Sequence, residues 1–221
     1  MKALCSIGAG AHEALLEISR PTFAEYARRH GYELIISTEI DPRRPASWSK
    51  VPMLREAVDA YELVLWIDAD AVIVDASRDV ADELEAPSEL GLVQHRRGDD
   101  LIPNAGVIVV RGGDFARDLL DTLWGSTRYI HHPWWENAAL LDAFGYELPG
   151  ELEPGRARRI AARLRGRSLR LVRPSPFLER TQFLSAEWNG VPHDRPEHPR
   201  IAHFPGVPLE ERMREMTAAL G

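Results

Sequence analysis

Leu63-Val64-Leu65-Trp66-Ile67-Asp68-Ala69-Asp70 sets five apolar residues directly ahead of two carboxylates separated by one alanine. A run this apolar predicts a strand buried on both faces, the pattern of a parallel sheet covered by helices. The acids then fall at the strand's C-terminal edge, where ligands gather in open α/β sheets. On extended backbone, Asp68 and Asp70 project to the same side. Two such carboxylates suit a hard divalent cation, magnesium or manganese, that keeps positions open for water and substrate phosphates. For the three residues alone, a solvated turn after a strand is the plainer reading. Acids directly behind so apolar a run are nevertheless poorly placed unless they stand at the sheet's functional edge.

Outward from this stretch the chain alternates. Ala3 to Ile7 reads as a strand, followed by a helical pattern from Glu13 through Arg29 that Pro21 should interrupt and Gly31 should close. Glu33 to Ser37 is a second strand, and Trp48 to Ala60 a helix feeding the strand at Leu63. Leu90 to Gln94 and Val107 to Val110 supply further strands. Asp114 is placed to N-cap a helix with Phe115, Leu119, Leu120 and Leu123 on one face, and another helix should follow Pro133. The expected fold class is therefore α/β, with a mainly parallel central sheet flanked by helices.

Length and composition bound the rest. With 221 residues, 44% hydrophobic and 28% charged, one domain spanning 1–221 is the expectation. A net charge of -7 argues against a nucleic-acid partner, which usually requires a basic excess. The one cysteine, Cys5, permits no internal disulfide and favours a cytoplasmic setting. The apolar run after Lys2 is too short for a signal-peptide core, and no stretch is long enough for a transmembrane segment. At about 150–175 the composition changes to an arginine-rich insertion that includes Arg156, Arg163, Arg170 and Arg173. It reads either as a solvated helix or as a peripheral contact with a membrane or a phosphate-bearing acceptor.

Two other readings use the same residues. Haloacid-dehalogenase-like phosphatases also place Asp-x-Asp after an apolar strand, which would make Asp68 a nucleophile. They need a lysine further along the chain, and the last lysine here is Lys50. Gly8-Ala9-Gly10 has the start of a dinucleotide fingerprint, but Glu13 stands where its third glycine belongs. A noncatalytic sugar-nucleotide-binding protein is a third class.

An ordered set of segments resembles one family. Trp48-Ser49-Lys50-Val51-Pro52-Met53-Leu54, then Leu65-Trp66-Ile67-Asp68-Ala69-Asp70, Asn104-Ala105-Gly106, Trp135-Glu136-Asn137 and His203-Phe204-Pro205-Gly206 occur in that order. Together they resemble the GT-A (Rossmann-like) glycosyltransferases related to plant xyloglucan xylosyltransferases and to fungal galactosyl- and mannosyltransferases. The resemblance runs from about residue 3 to 206, with a gap at the arginine-rich insertion. It implies metal-dependent transfer of a sugar, with retention, from a nucleotide-sugar such as a UDP-hexose or UDP-pentose. The implied acceptor is a hydroxyl of a carbohydrate or glycolipid.

By the same resemblance Asp68, Asp70 and His203 would hold Mn2+ or Mg2+, with Asp68 reaching the metal through water or touching the donor ribose. Lys50 would balance donor phosphate, while Asn104 and Gly106 would bind the donor sugar and let its ring approach the backbone. Glu136 would act catalytically at the anomeric centre. Two departures stand out: Glu136-Asn137 replaces the family's Asp-Gln, and Pro205-Gly206 follows His203-Phe204 where relatives often have Gly-Cys.

Overall fold

The structure, a computed structural model, describes residues 1–148 and 169–221. In chain order these form β1 (Lys2–Ile7), α1 (Glu13–His30), β2 (Tyr32–Ser37), α2 (Lys50–Ala60), β3 (Leu63–Ile67), β4 (Ala71–Ile73), β5 (Leu90–Arg97) and β6 (Asp100–Arg111). There follow α3 (Asp114–Gly125), α4 (Trp135–Phe144), β7 (Tyr146–Glu147), β8 (Arg170–Leu171), α5 (Pro176–Glu179), β9 (Thr181–Phe183), β10 (Ile201–His203) and α6 (Leu209–Ala219). Most of the arginine-rich insertion, residues 149–168, lies outside the described residues. Among the described residues, no helix is long and apolar enough to cross a membrane.

Six strands make the central sheet in the order β2-β1-β3-β6-β5-β9. Only β6 runs against its neighbours, so the mainly parallel α/β sheet expected from the sequence is present. The apolar run of β3 is fully buried, and its alternate residues feed two separate cores. Val64 and Trp66 pack with α2, α3 and α4 on one face; Leu63, Leu65 and Ile67 pack with α1 on the other. That two-sided burial is why the strand carries no polar residue until it ends. Beyond it, β4 pairs with β10 in a small antiparallel sheet, with Ala71 opposite His203. Helix α6 closes this corner through Met216, packed with Leu15, Val72, Ala202 and Phe204.

Three local expectations are corrected. Helix α1 passes through Pro21 uninterrupted, because burial of Phe23, Tyr26 and Ala27 beyond it outweighs the lost backbone bond, a cost of about 3 kcal/mol. Asp114 is the first helical residue of α3, capped by Gly113, and its carboxylate is drawn to Arg117 instead. The strand expected at Val107 is much longer, since Asp100 to Asn104 pair back onto Val93 to Arg97 as a hairpin. Asn104-Ala105-Gly106 is thus no free loop but lies within β6, at a bulge where the register shifts beside Leu92 and Val93.

The fold's edge is tied by one buried carboxylate. Asp79 Oδ1 accepts from the hydroxyls of Tyr32 at 2.6 Å and Tyr26 at 3.2 Å, while Oδ2 meets Lys2 Nζ at 2.5 Å. Its Oδ1 also accepts from the Ala81 amide at 3.0 Å. Burial pushes this carboxyl upward, but the lysine, tyrosine and amide donors prevail and hold it below its ordinary value. Its stabilisation is therefore complete above about pH 4 and fades as pH falls through the lowered folded value. Asp79→Ala should cost about 2–3 kcal/mol at pH 7 in urea unfolding. The gap from the parent should narrow below pH 4; a pH-independent gap would refute the assignment.

Candidate functional site

The chain reverses where β3 ends. The Ala71 amide donates to the Asp68 carbonyl at 3.0 Å, so Asp68-Ala69-Asp70 is a turn into β4 rather than the extended segment expected. The carboxylates still converge, because the turn sets both against His203 at the end of β10. His203 Nε2 lies 3.2 Å from Asp70 Oδ1 and 3.9 Å from Asp68 Oδ2. One ligand atom from each of the three residues falls within 4.8 Å of the others.

The remaining carboxylate oxygens are already engaged. Asp68 Oδ1 accepts from Trp66 Nε1 at 2.7 Å and faces Lys50 Nζ at 2.8 Å. Asp70 Oδ2 accepts from Arg212 at 2.9 Å. Each acid thus keeps one oxygen turned toward the imidazole, a mixed carboxylate and imidazole donor set with room for outer ligands. Burial would raise the Asp70 carboxyl, but His203 and Arg212 more than offset it and hold it at about 2. Asp68, Asp70 and Glu136 against Lys50 and Arg212 leave one excess negative charge, so a dication would be attracted and would leave positive charge over for an anionic ligand. These residues fit a divalent metal.

Lys50 is buried at the start of α2, between Asp68 and Glu136 Oε1, the latter 2.9 Å away, and it donates to the Ala105 carbonyl at 3.0 Å. Burial alone would lower this lysine, yet the two carboxylates raise it above its ordinary value and keep it charged. Its charge is thereby matched inside the protein, where it tethers Asp68 and Glu136. Glu136 itself sits in the first turn of α4, buried, with Oε2 lacking any hydrogen-bond partner. That orphan oxygen borders a cavity of about 850 Å3 whose lining includes Asp68, Asn104, Gly106, Trp134, Trp135 and His203. Both tryptophans line this cavity: Trp135 is exposed, while Trp134 lies beneath Arg97.

Asn104 and Gly106 line the cavity; Asn104 accepts from the Gly106 amide and from Asn189, while Gly106 stands against the His203 ring. A methyl at residue 106 would stand 2.6 Å from His203 Nδ1 and closer still to Cε1, so glycine makes room for the imidazole. Asn137 fastens the same bulge, accepting from the Ala105 amide at 2.9 Å and donating to the Pro103 carbonyl at 3.2 Å.

Three residues escaped the sequence reading. Asn189 is wholly buried and touches both His203 and Asn104. Arg212 grips Asp70 and also the Val207 carbonyl from α6. His95 on β5 borders the cavity with both ring nitrogens unpartnered, and burial, then repulsion by His203, pushes it down to about 4. None lies in a contiguous motif.

This arrangement defines the class: the chain has the GT-A glycosyltransferase fold, an α/β sheet with an Asp-Asp-His cluster at the end of its central strand. A solved glycosyltransferase involved in glycosylation of the major capsid of PBCV-1 superimposes with TM-score 0.64 at 13% identity, covering 98% of this chain and 99% of that one. The galactosyltransferase LgtC, solved with donor and acceptor sugar analogues, gives 0.58 at 10% identity, covering 100% and 96%. Within that class, residues 6–98 match the galactosyl transferase GMA12/MNN10 family, as the sequence resemblance implied. Probable glycosyltransferase 6 of Oryza sativa subsp. indica is 32% identical over 109 residues, 44% of this chain but only 22% of that protein. The chain thus spans about a quarter of the length of such curated relatives.

Gly106→Ala should leave far-UV circular dichroism unchanged while weakening Mn2+ binding at least about tenfold by displacing the imidazole. Unaltered affinity in titration calorimetry would show that the ring does not depend on that space.

Proposed function

We propose that this chain is a metal-dependent glycosyltransferase domain that moves a sugar from a nucleoside diphosphate donor, a UDP-hexose or UDP-pentose, to a hydroxyl of a carbohydrate or glycolipid, with retention. The observation that carries this reading is the convergence of Asp68 Oδ2, Asp70 Oδ1 and His203 Nε2 beside a cavity large enough for a nucleotide-sugar. A bound Mn2+ or Mg2+ would supply neutralisation of the departing diphosphate. The protein's own residues do the rest. Lys50 holds Asp68 and Glu136 in place, and Arg212 keeps Asp70 turned inward.

Glu136 Oε2, buried and unpartnered, offers its charge to sugar hydroxyls or to the positive character that develops at the anomeric carbon. Trp134 and Trp135 present flat apolar faces of the size of a sugar ring. His95, neutral at pH 7, offers one donor and one acceptor to the same cavity. The phosphatase reading loses its nucleophile here, since Asp68 Oδ1 is taken by Trp66 and Lys50 and Asp68 Oδ2 faces His203. A single domain over 1–221 and acceptor or membrane contact through the arginine-rich insertion complete the proposal.

A panel of nucleotide sugars with Mn2+ tests it directly. Release of the nucleoside diphosphate should require both the metal and one preferred donor, whereas cleavage of simple phosphate esters would favour the phosphatase and neither activity a binding protein. Asp70→Asn should lower turnover at least about a hundredfold. Glu136→Gln should reduce transfer by about a hundredfold with donor binding retained; unchanged turnover would remove Glu136 from the chemistry. Linkage analysis of the product checks retention.

A further inference from the structure

Asn189 lies next to Gly190, whose amide and carbonyl bracket β10 through Ile201 and His203, so the backbone register sets its side chain beside the His203 ring. The Gly106 amide is an unambiguous donor, and it points at Asn104 Oδ1 from 2.8 Å. That oxygen can only accept, so the Asn189 atom 2.9 Å away must be the amide nitrogen, Nδ2. The other end of the Asn189 carboxamide is then the oxygen, and it faces His203 Nδ1 at 2.8 Å. An oxygen that only accepts requires a hydrogen on Nδ1.

We propose that Asn189, oriented through Asn104 by the Gly106 amide, is a positioning residue that holds a hydrogen on His203 Nδ1 and so leaves Nε2, which faces Asp68 and Asp70, as the ring nitrogen a cation can take. Asp70 Oδ1, 3.2 Å from Nε2, accepts any hydrogen carried there, and a cation would replace that hydrogen while Nδ1 keeps its own. Burial of Asn189 and His203 keeps water from competing for either end of the chain of hydrogen bonds. Gly106 has two parts in this: its missing side chain admits the ring, and its amide sets the polarity. The inference rests on the metal reading above only for its purpose, since the contact of Asn189 with Nδ1 is present without any ion.

The test is therefore made first on metal-free protein at pH 8. Long-range 1H–15N correlation of labelled histidines should show a hydrogen on His203 Nδ1, with or without a second one on Nε2 toward Asp70; an Nδ1 without hydrogen in the unsubstituted protein would overturn the proposal without any variant. Asn189→Leu should shift His203 toward the Nε2–H form and weaken Mn2+ binding about 10- to 100-fold. Asn189→Asp keeps an acceptor against Nδ1 and should hold the tautomer. Equal loss of Mn2+ affinity in both variants with the tautomer unmoved would reduce Asn189 to packing and overturn the assignment. Absence of Mn2+ binding by the unsubstituted protein, with the tautomer as stated, would defeat the metal reading while upholding this one.

Discussion

One buried ammonium group organises the site. Lys50 draws the first turn of α2, the turn after β3, the first turn of α4 and the bulge in β6 to a single point, because a charge removed from water must find its counter-charges within contact distance. Two carboxylates and a carbonyl do this from three separate elements. Removing either acid would leave an under-compensated charge in the interior, so the geometry of Asp68 and that of Glu136 are not independent. The sheet supplies the frame, but this ion triplet decides where the acids on its edge come to rest.

From that point the site divides by function. On one side, Asp68, Asp70 and His203 turn single donor atoms toward a common centre, each held from behind by a protein partner. On the other, Glu136 and His95 line the cavity with polar atoms that the protein leaves unsatisfied, beside Trp134 and Trp135. Buried polar atoms without partners are rare in folded proteins and usually await something. Under the proposed function, the contrast between a satisfied cluster and an unsatisfied wall is what would separate a place for an ion from a place for a sugar. By comparison, Cys5 carries no such signal: buried on β1 and pushed up to about 12 by desolvation, its thiol is inert core.

Much of this was legible in the sequence, and the reasons are specific. The run at β3 could be read because two-sided burial leaves only apolar residues, and Asp68, Asp70 and His203 could be grouped because each stands in a recognisable segment. Pro21 misled because helix termination is a local rule and the packing of Phe23 and Tyr26 is not local. Asn104-Ala105-Gly106 resembled a loop because its pairing with β5 depends on a hairpin whose bulge leaves no compositional mark. The sequence reading also set Lys50 against a ligand, whereas its partners are separated from it by 18 and 86 positions. Asn189 and Arg212 were invisible for the same reason: their contacts exist only once β10 and α6 have docked.

That docking has a consequence for how the molecule comes into being. The contacts from His203 and Arg212 to Asp70 span 133 and 142 positions, whereas β1, β2 and β3 join neighbours in sequence through short crossovers. Contacts of such separation are costly to close and tend to form late. During synthesis, the sheet strands up to β6 emerge well before β10 and α6 are available to join them. The nascent domain would thus pass through a stage with its scaffold in place and its ion-binding corner open, and competence would arrive in a single step when the C-terminal segment snaps onto β4.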